Sequence, residues 1–144
     1  MARQPLQVLL RLRGIALDQA RRELADRLRE ETAAAERCAS IAATIARETE
    51  LQGSQPAEGT SDSYAAWLTG AHIVQREAAA ANCSCIAATA EARASLNAAR
   101  ADTRALEAAL ERVQQVREGT ALRLEQRAVD EAAAGCKRPE RWSG

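Results

Sequence analysis

Gly53-Ser54-Gln55-Pro56-Ala57-Glu58-Gly59-Thr60-Ser61-Asp62-Ser63 is the stretch whose reading decides the fold. Glycine, proline and short polar side chains crowd together here, and such clusters interrupt helices and make loops. On the N-terminal side, no proline occurs from Leu6 to Gln52, and Gly14 is the one glycine. Pro5 suits a first helical turn, where its missing N–H costs nothing. On the C-terminal side, Ser61 or Asp62 can cap a second helix. That helix is expected to run from about Tyr64 to Ala134, with Gly135 as its C-terminal residue and Pro139 beyond it. The spacing therefore predicts a helix over about 6–52, a loop over about 53–63, a helix over about 64–134 and a tail over 135–144.

Composition agrees with long helices and excludes a thick core. The chain has 144 residues, of which 35 are alanine and 24 are Leu, Ile or Val; it has one tyrosine, two tryptophans and no phenylalanine. A fully buried Leu contributes roughly 1.5–3 kcal/mol and an alanine much less, so such a chain can fill a thin seam but not a globule. Ala, Leu, Arg, Glu and Gln dominate, and these residues lose little rotamer freedom in a helix. At 1.5 Å per residue the helices would span about 70 Å and about 108 Å, so they must pack side by side. A short loop makes them antiparallel, with facing residue numbers summing to about 115. Helix two then outruns helix one by roughly 25 residues, or about 37 Å. The expected fold is a single all-α domain over 1–144, an antiparallel coiled-coil hairpin with a C-terminal helical overhang.

The seam is predicted from spacing by threes and fours. In helix one, Leu10, Leu17 and Leu24 recur every seven residues, joined by Leu6, Ala20 and Leu28. The smaller Ala35, Cys38, Ile41, Ala42 and Ile45 continue the stripe. In helix two the apolar choice is Tyr64, Trp67, Ala71, Val74, Ala78, Ala81, Cys85, Ala88 and Ala92. A one-position shift then leads to Leu96, Ala99, Thr103, Leu106, Leu110 and Val113, a stutter-like break. The overhang keeps Val113, Val116, Leu122, Leu124 and Val129 interspersed with Arg112, Arg117, Arg123 and Arg127. An apolar stripe without an intramolecular partner is either frayed or meant for another protein, and the second reading is preferred.

Charge is balanced, 20 basic against 20 acidic residues, with no lysine or arginine run, which argues against nucleic acid as a partner. The apolar run Leu6–Leu10 is broken by Gln7 and is too short for a signal peptide or a membrane span, so a cytoplasmic protein is expected. Its four cysteines, Cys38, Cys83, Cys85 and Cys136, should then be reduced, and a Cys38 approach to Cys83 or Cys85 across the hairpin stays open. No CxxC pair occurs and His72 is the single histidine, so no metal site is expected. No phosphate loop or nucleophile–base pair is present, and no cofactor or catalytic residue is assigned. The expected protein is not an enzyme.

Three patches carry a resemblance. The first is Leu6-x-x-Leu9-Leu10 with Arg13, followed by Asp18-x-Ala20-Arg21-x-x-Leu24. The second is Tyr64-x3-Leu68-x2-Ala71-x3-Gln75. The third is Leu124-Glu125-Gln126-Arg127-Ala128-Val129-Asp130-Glu131, followed by Lys137-Arg138-Pro139-Glu140. In this order and spacing the chain resembles the FliJ family of flagellar export proteins. The resemblance implies a cytoplasmic stalk, peripherally associated with the inner membrane at the flagellar base through the export apparatus. Such a stalk binds a hexameric export ATPase, links it to the cytoplasmic domain of the export gate and handles export chaperones. It implies that Leu10, Arg13, Leu17, Leu124, Arg127, Asp130 and Glu131 meet the ATPase, and that Tyr64, Leu68, Ala71 and Gln75 face the gate. Helix one departs from the family by carrying Arg37, Ile41, Thr44 and Glu48 where aromatic residues often stand. Leu10, Leu17, Leu68 and Ala71 also suit the seam itself. A generic coiled-coil adaptor, a homodimer through the overhang, the stalk of a related type III secretion system and, least suited, a membrane-surface helix remain alternative readings.

Overall fold

The computed structural model describes residues 3–54 and 60–136. Two helices account for them, α1 (Arg3–Ser54) and α2 (Thr60–Cys136), packed against each other as an all-α hairpin. The connection is shorter than the loop signal implied. Gly53 and Ser54 continue α1, and Ser54 Oγ donates to the Leu51 carbonyl at 3.0 Å, satisfying one of the acceptors that a helix end leaves free. Ser61, Asp62 and Ser63 already belong to α2, with Asp62 in its first turn, where a carboxylate complements the helix dipole. Gly135 is still helical. Pro56, Gly59, and the Lys137-Arg138-Pro139-Glu140 patch lie outside the described residues.

Local ion pairs link successive turns of α1. Arg27 donates to Glu23 at 2.8 Å and to Glu30 at 3.1 Å, Arg29 to Asp26 at 2.6 Å, and Arg21 to Asp18 at 3.5 Å. Hydrogen bonds and charge from Glu23 and then Glu30 hold the Arg27 guanidinium above its ordinary pKa. Solvent-exposed pairs of this kind contribute little, so they reinforce propensity rather than decide the fold.

The contacts fall into two compact units, residues 15–100 and residues 1–14 with 101–144. In the first, Tyr64 Oη donates to Thr49 Oγ1 at 2.7 Å, which in turn donates to the Ile45 carbonyl at 2.7 Å. Further along, Thr89 Oγ1 lies 3.3 Å from the Arg27 carbonyl of α1 and 3.0 Å from the Cys85 carbonyl of its own helix. In the second unit, Arg13 meets Asp102 at 3.1 Å. The numbers of these cross-helix partners sum to 113–116, matching the antiparallel pairing derived from the loop.

The seam of α2 differs from the apolar choice made on sequence. Positions turned inward are Leu68, Ala71, Gln75, Ala78 and Asn82, then Cys85, Thr89, Ala92 and Leu96. The spacing alternates four and three without a shift, the heptad rule of a coiled coil. Trp67, Val74 and Ala81, expected inside, are exposed, and Ala88 is half-buried beside the seam. Continuity explains the correction. Leu68 and Leu96 share one heptad position, whereas the frame through Trp67 arrives at Ser95 and would need a break to recover a leucine. An unbroken frame turns both leucines inward and accepts Gln75, Asn82 and Thr89 between them. On α1, Leu17, Ala20, Leu24, Ala34, Cys38, Ile41 and Ile45 turn inward, but Leu28, Ala35 and Ala42 are exposed. Arg27 and Glu31 occupy the seam instead, where aliphatic stems can pack while the charged ends reach water.

The polar layer is unequally satisfied. Thr89, 2% exposed, has its hydroxyl on two carbonyls, whereas buried Asn82 Oδ1 has no hydrogen-bond partner among the described residues. A buried acceptor left unpaired costs about 1–3 kcal/mol. Asn82→Ala should therefore raise stability by about 1 kcal/mol, read as a higher thermal midpoint, while Thr89→Ala should lower it. A Cβ at Gly14 would meet nothing within 4 Å. Gly14→Ala should accordingly stabilise α1 by about 0.5–1 kcal/mol in chemical denaturation.

Candidate functional site

The residues expected to meet an ATPase divide by environment. Leu10 is half-buried and lines a shallow groove with Gln7, Leu110, Val113 and Arg117. Arg13 is engaged with Asp102, both side chains about half exposed. Leu17, in the unit of residues 15–100, is half-buried on the α1 seam. Leu124, Arg127, Asp130 and Glu131 are all exposed on α2, and Asp130 Oδ1 accepts from Gln126 at 2.9 Å. Thus Leu10 and Leu17 serve packing within the hairpin, and the C-terminal four belong to a free helical face.

Exposure there extends right around the helix. From Thr120 to Cys136 every described residue is exposed. Val116, Leu122, Leu124 and Val129 are 59–68% exposed, a range that Val8 of α1 reaches only at its lower limit. Little packing holds this stretch helical. Its supports are intrinsic propensity and local side-chain bonds such as Gln114 to Glu118 at 3.1 Å and Gln126 to Asp130. Gly119 lies within the continuous helix, lowers its local propensity and, with Arg112, Gln115, Val116, Thr120 and Arg123, lines an open depression. Such a helix is ordered locally but has low resistance to opening, which suits a segment that docks on another surface.

The residues expected to face a gate sit differently. Leu68, Ala71 and Gln75 are half-buried on the seam, and Tyr64 is half-buried with its hydroxyl tied to Thr49. What lies open beside them is a groove that sequence reasoning missed, formed by Ile41 and Ile45 of α1 with Trp67, Ala71 and Val74 of α2. Trp67 stacks near Tyr64, ring centroids 6.0 Å apart. The missed signal was present in the sequence: assigning Leu68 rather than Trp67 to the heptad leaves Trp67 and Val74 seven residues apart on one flank. His72 is exposed, with Nδ1 3.1 Å from Gln75 Oε1. All four cysteines are free thiols. The observed pairing sets Cys38 level with residues 75–78, so Cys83 and Cys85 lie about 7–15 Å further along the axis. Among the described residues, no cluster of His, Cys, Asp and Glu forms a metal site, and no helix is long and apolar enough to cross a membrane.

No family model matches this chain. No curated protein and no solved structure matches it either.

Burial separates the two classes of leucine in a testable way. Leu96 is 5% exposed and Leu124 is 59% exposed. Leu96→Ala should cost about 2–3 kcal/mol in equilibrium unfolding, and Leu124→Ala should change stability by less than about 0.5 kcal/mol.

Proposed function

We propose that this chain is a non-catalytic stalk of a flagellar-type protein export apparatus, binding a hexameric export ATPase through the C-terminal stretch of α2. The observation that carries the reading is the fully exposed C-terminal stretch of α2, where Val116, Leu122, Leu124 and Val129 are distributed around the helix among Arg127, Asp130 and Glu131. Exposed aliphatic groups provide burial energy on docking, and flanking charges of both signs provide orientation. The resemblance of Leu124–Glu131 to the family's C-terminal segment supplies the identity of the partner. Arg13, at the same end of α1, remains accessible beside Asp102. The gate contact draws less from the geometry, because Leu68, Ala71 and Gln75 stand in the seam. On this reading the protein works in the cytoplasm and reaches the membrane only through the export apparatus and its chaperones.

The test uses full-length protein with the export ATPase of the same cell. Wild type should bind the ATPase and raise its hydrolysis rate severalfold. Leu124→Asp and Arg127→Glu should abolish the stimulation while leaving helical content and thermal midpoint unchanged. Absence of both binding and stimulation by the wild type would discard the stalk reading and favour a coiled-coil adaptor with another partner.

A further inference from the structure

The groove between α1 and α2 near the connection is apolar at its centre and bounded by charge. Ile41 and Ile45 face Trp67 and Val74 across it, and Trp67 and Val74 remain 39% and 43% exposed. On α1, Arg37, Ile41, Thr44 and Glu48 follow at intervals of four, three and four, so they share one helical face. Arg37 and Glu48 are exposed, and neither has an ion pair among the described residues, unlike Arg13, Arg21, Arg27 and Arg29.

This arrangement is self-complementary. Midway between Arg37 and Glu48 lies the level between Ala42 and Ala43, and midway between Trp67 and Val74 lies the level between Gly70 and Ala71. The nearby Tyr64–Thr49 bond sets a pairing in which those two levels face each other. One two-fold axis perpendicular to both helices therefore serves both. Rotation about it sets Arg37 opposite Glu48 of a second copy, Ile41 opposite Thr44, and Trp67 opposite Val74. Glu36 then meets Thr49 and Arg47 meets Cys38, so no like charges oppose on α1. Gly70 is exposed on the same flank as Trp67 and Val74 and permits close approach. A two-fold interface requires a patch to match itself under rotation, a condition few surfaces meet.

We propose that the groove lined by Ile41, Ile45, Trp67 and Val74 is a homodimer interface, where two hairpins stack into an antiparallel four-helix arrangement clamped by two Arg37–Glu48 pairs. The inference rests on residues 15–100 alone and is independent of the export reading.

Sedimentation equilibrium of the full chain, from micromolar to millimolar concentration, tests it. Wild type should show a reversible monomer–dimer equilibrium. Arg37→Glu and Glu48→Arg should each raise the dissociation constant about tenfold or more, since each sets two like-charge pairs across the axis. The double exchange, Arg37→Glu with Glu48→Arg, should restore the dimer. Thermal melts at concentrations where wild type is monomeric should find all three variants as stable as wild type, because both positions are exposed. A monomer at every concentration would overturn the proposal. So would a dimer insensitive to both exchanges, or one lost on Leu124→Asp instead, which would move self-association to the end of α2.

Discussion

Everything in this hairpin depends on two helices meeting along a seam that has little to bury. Alanine supplies much of the inward surface of α2, and Ala78, Ala92 and Leu96 are its buried apolar residues among those described. A seam of small side chains gains dispersion energy only when backbones come close, and closeness brings carbonyls within reach of the facing helix. Thr89 exploits that by presenting its hydroxyl to the Arg27 carbonyl, while its methyl packs like an alanine with one added group. A larger residue there would separate the backbones and weaken the neighbouring alanine contacts.

The polar layer follows from the same economy of bulk. With leucines scarce, α2 keeps one frame from Leu68 to Leu96 and tolerates Gln75 and Asn82 on it. Asn82 is left with an unpartnered buried oxygen, and the layer as a whole contributes register more than energy. Polar groups at inward heptad positions act this way in coiled coils, because a shifted pairing would bury them against worse neighbours. The cost reappears at the surface. Turning Gln75 inward turns Val74 outward, and turning Leu68 inward leaves Trp67 half covered. The exposed groove is therefore a consequence of the frame, and its chemistry differs from that of the exposed end of α2.

Those two surfaces suit different tasks. The groove lies between two packed helices, is short, and has opposed charges at its ends. The C-terminal stretch of α2 is a lone helix carrying alternating Arg and carboxylate side chains around scattered aliphatic ones. It can adapt to a partner, at the expense of whatever order it loses when free. The two surfaces have no residue in common.

The amino-acid sequence by itself determined the helices, the place of the turn, the antiparallel pairing and the unpaired end. These follow from local causes: propensity, breakers between residues 53 and 63, and the unequal lengths on either side. Leu124, Arg127, Asp130 and Glu131 were legible as an exposed cluster for the same reason. The facing of α2 was decided only by tertiary structure. Locally, Trp67, Val74 and Ala81 are the more apolar choice, and no rule applied residue by residue would prefer Gln75, Asn82 and Thr89. The preference emerges when one helix must keep a single frame over many turns against α1, where Leu68 and Leu96 outweigh the polar residues between them. That choice removed Leu68, Ala71 and Gln75 from the free surface and opened the groove beside them. A frame is a property of two helices in contact, and a single stripe read along one of them does not contain it.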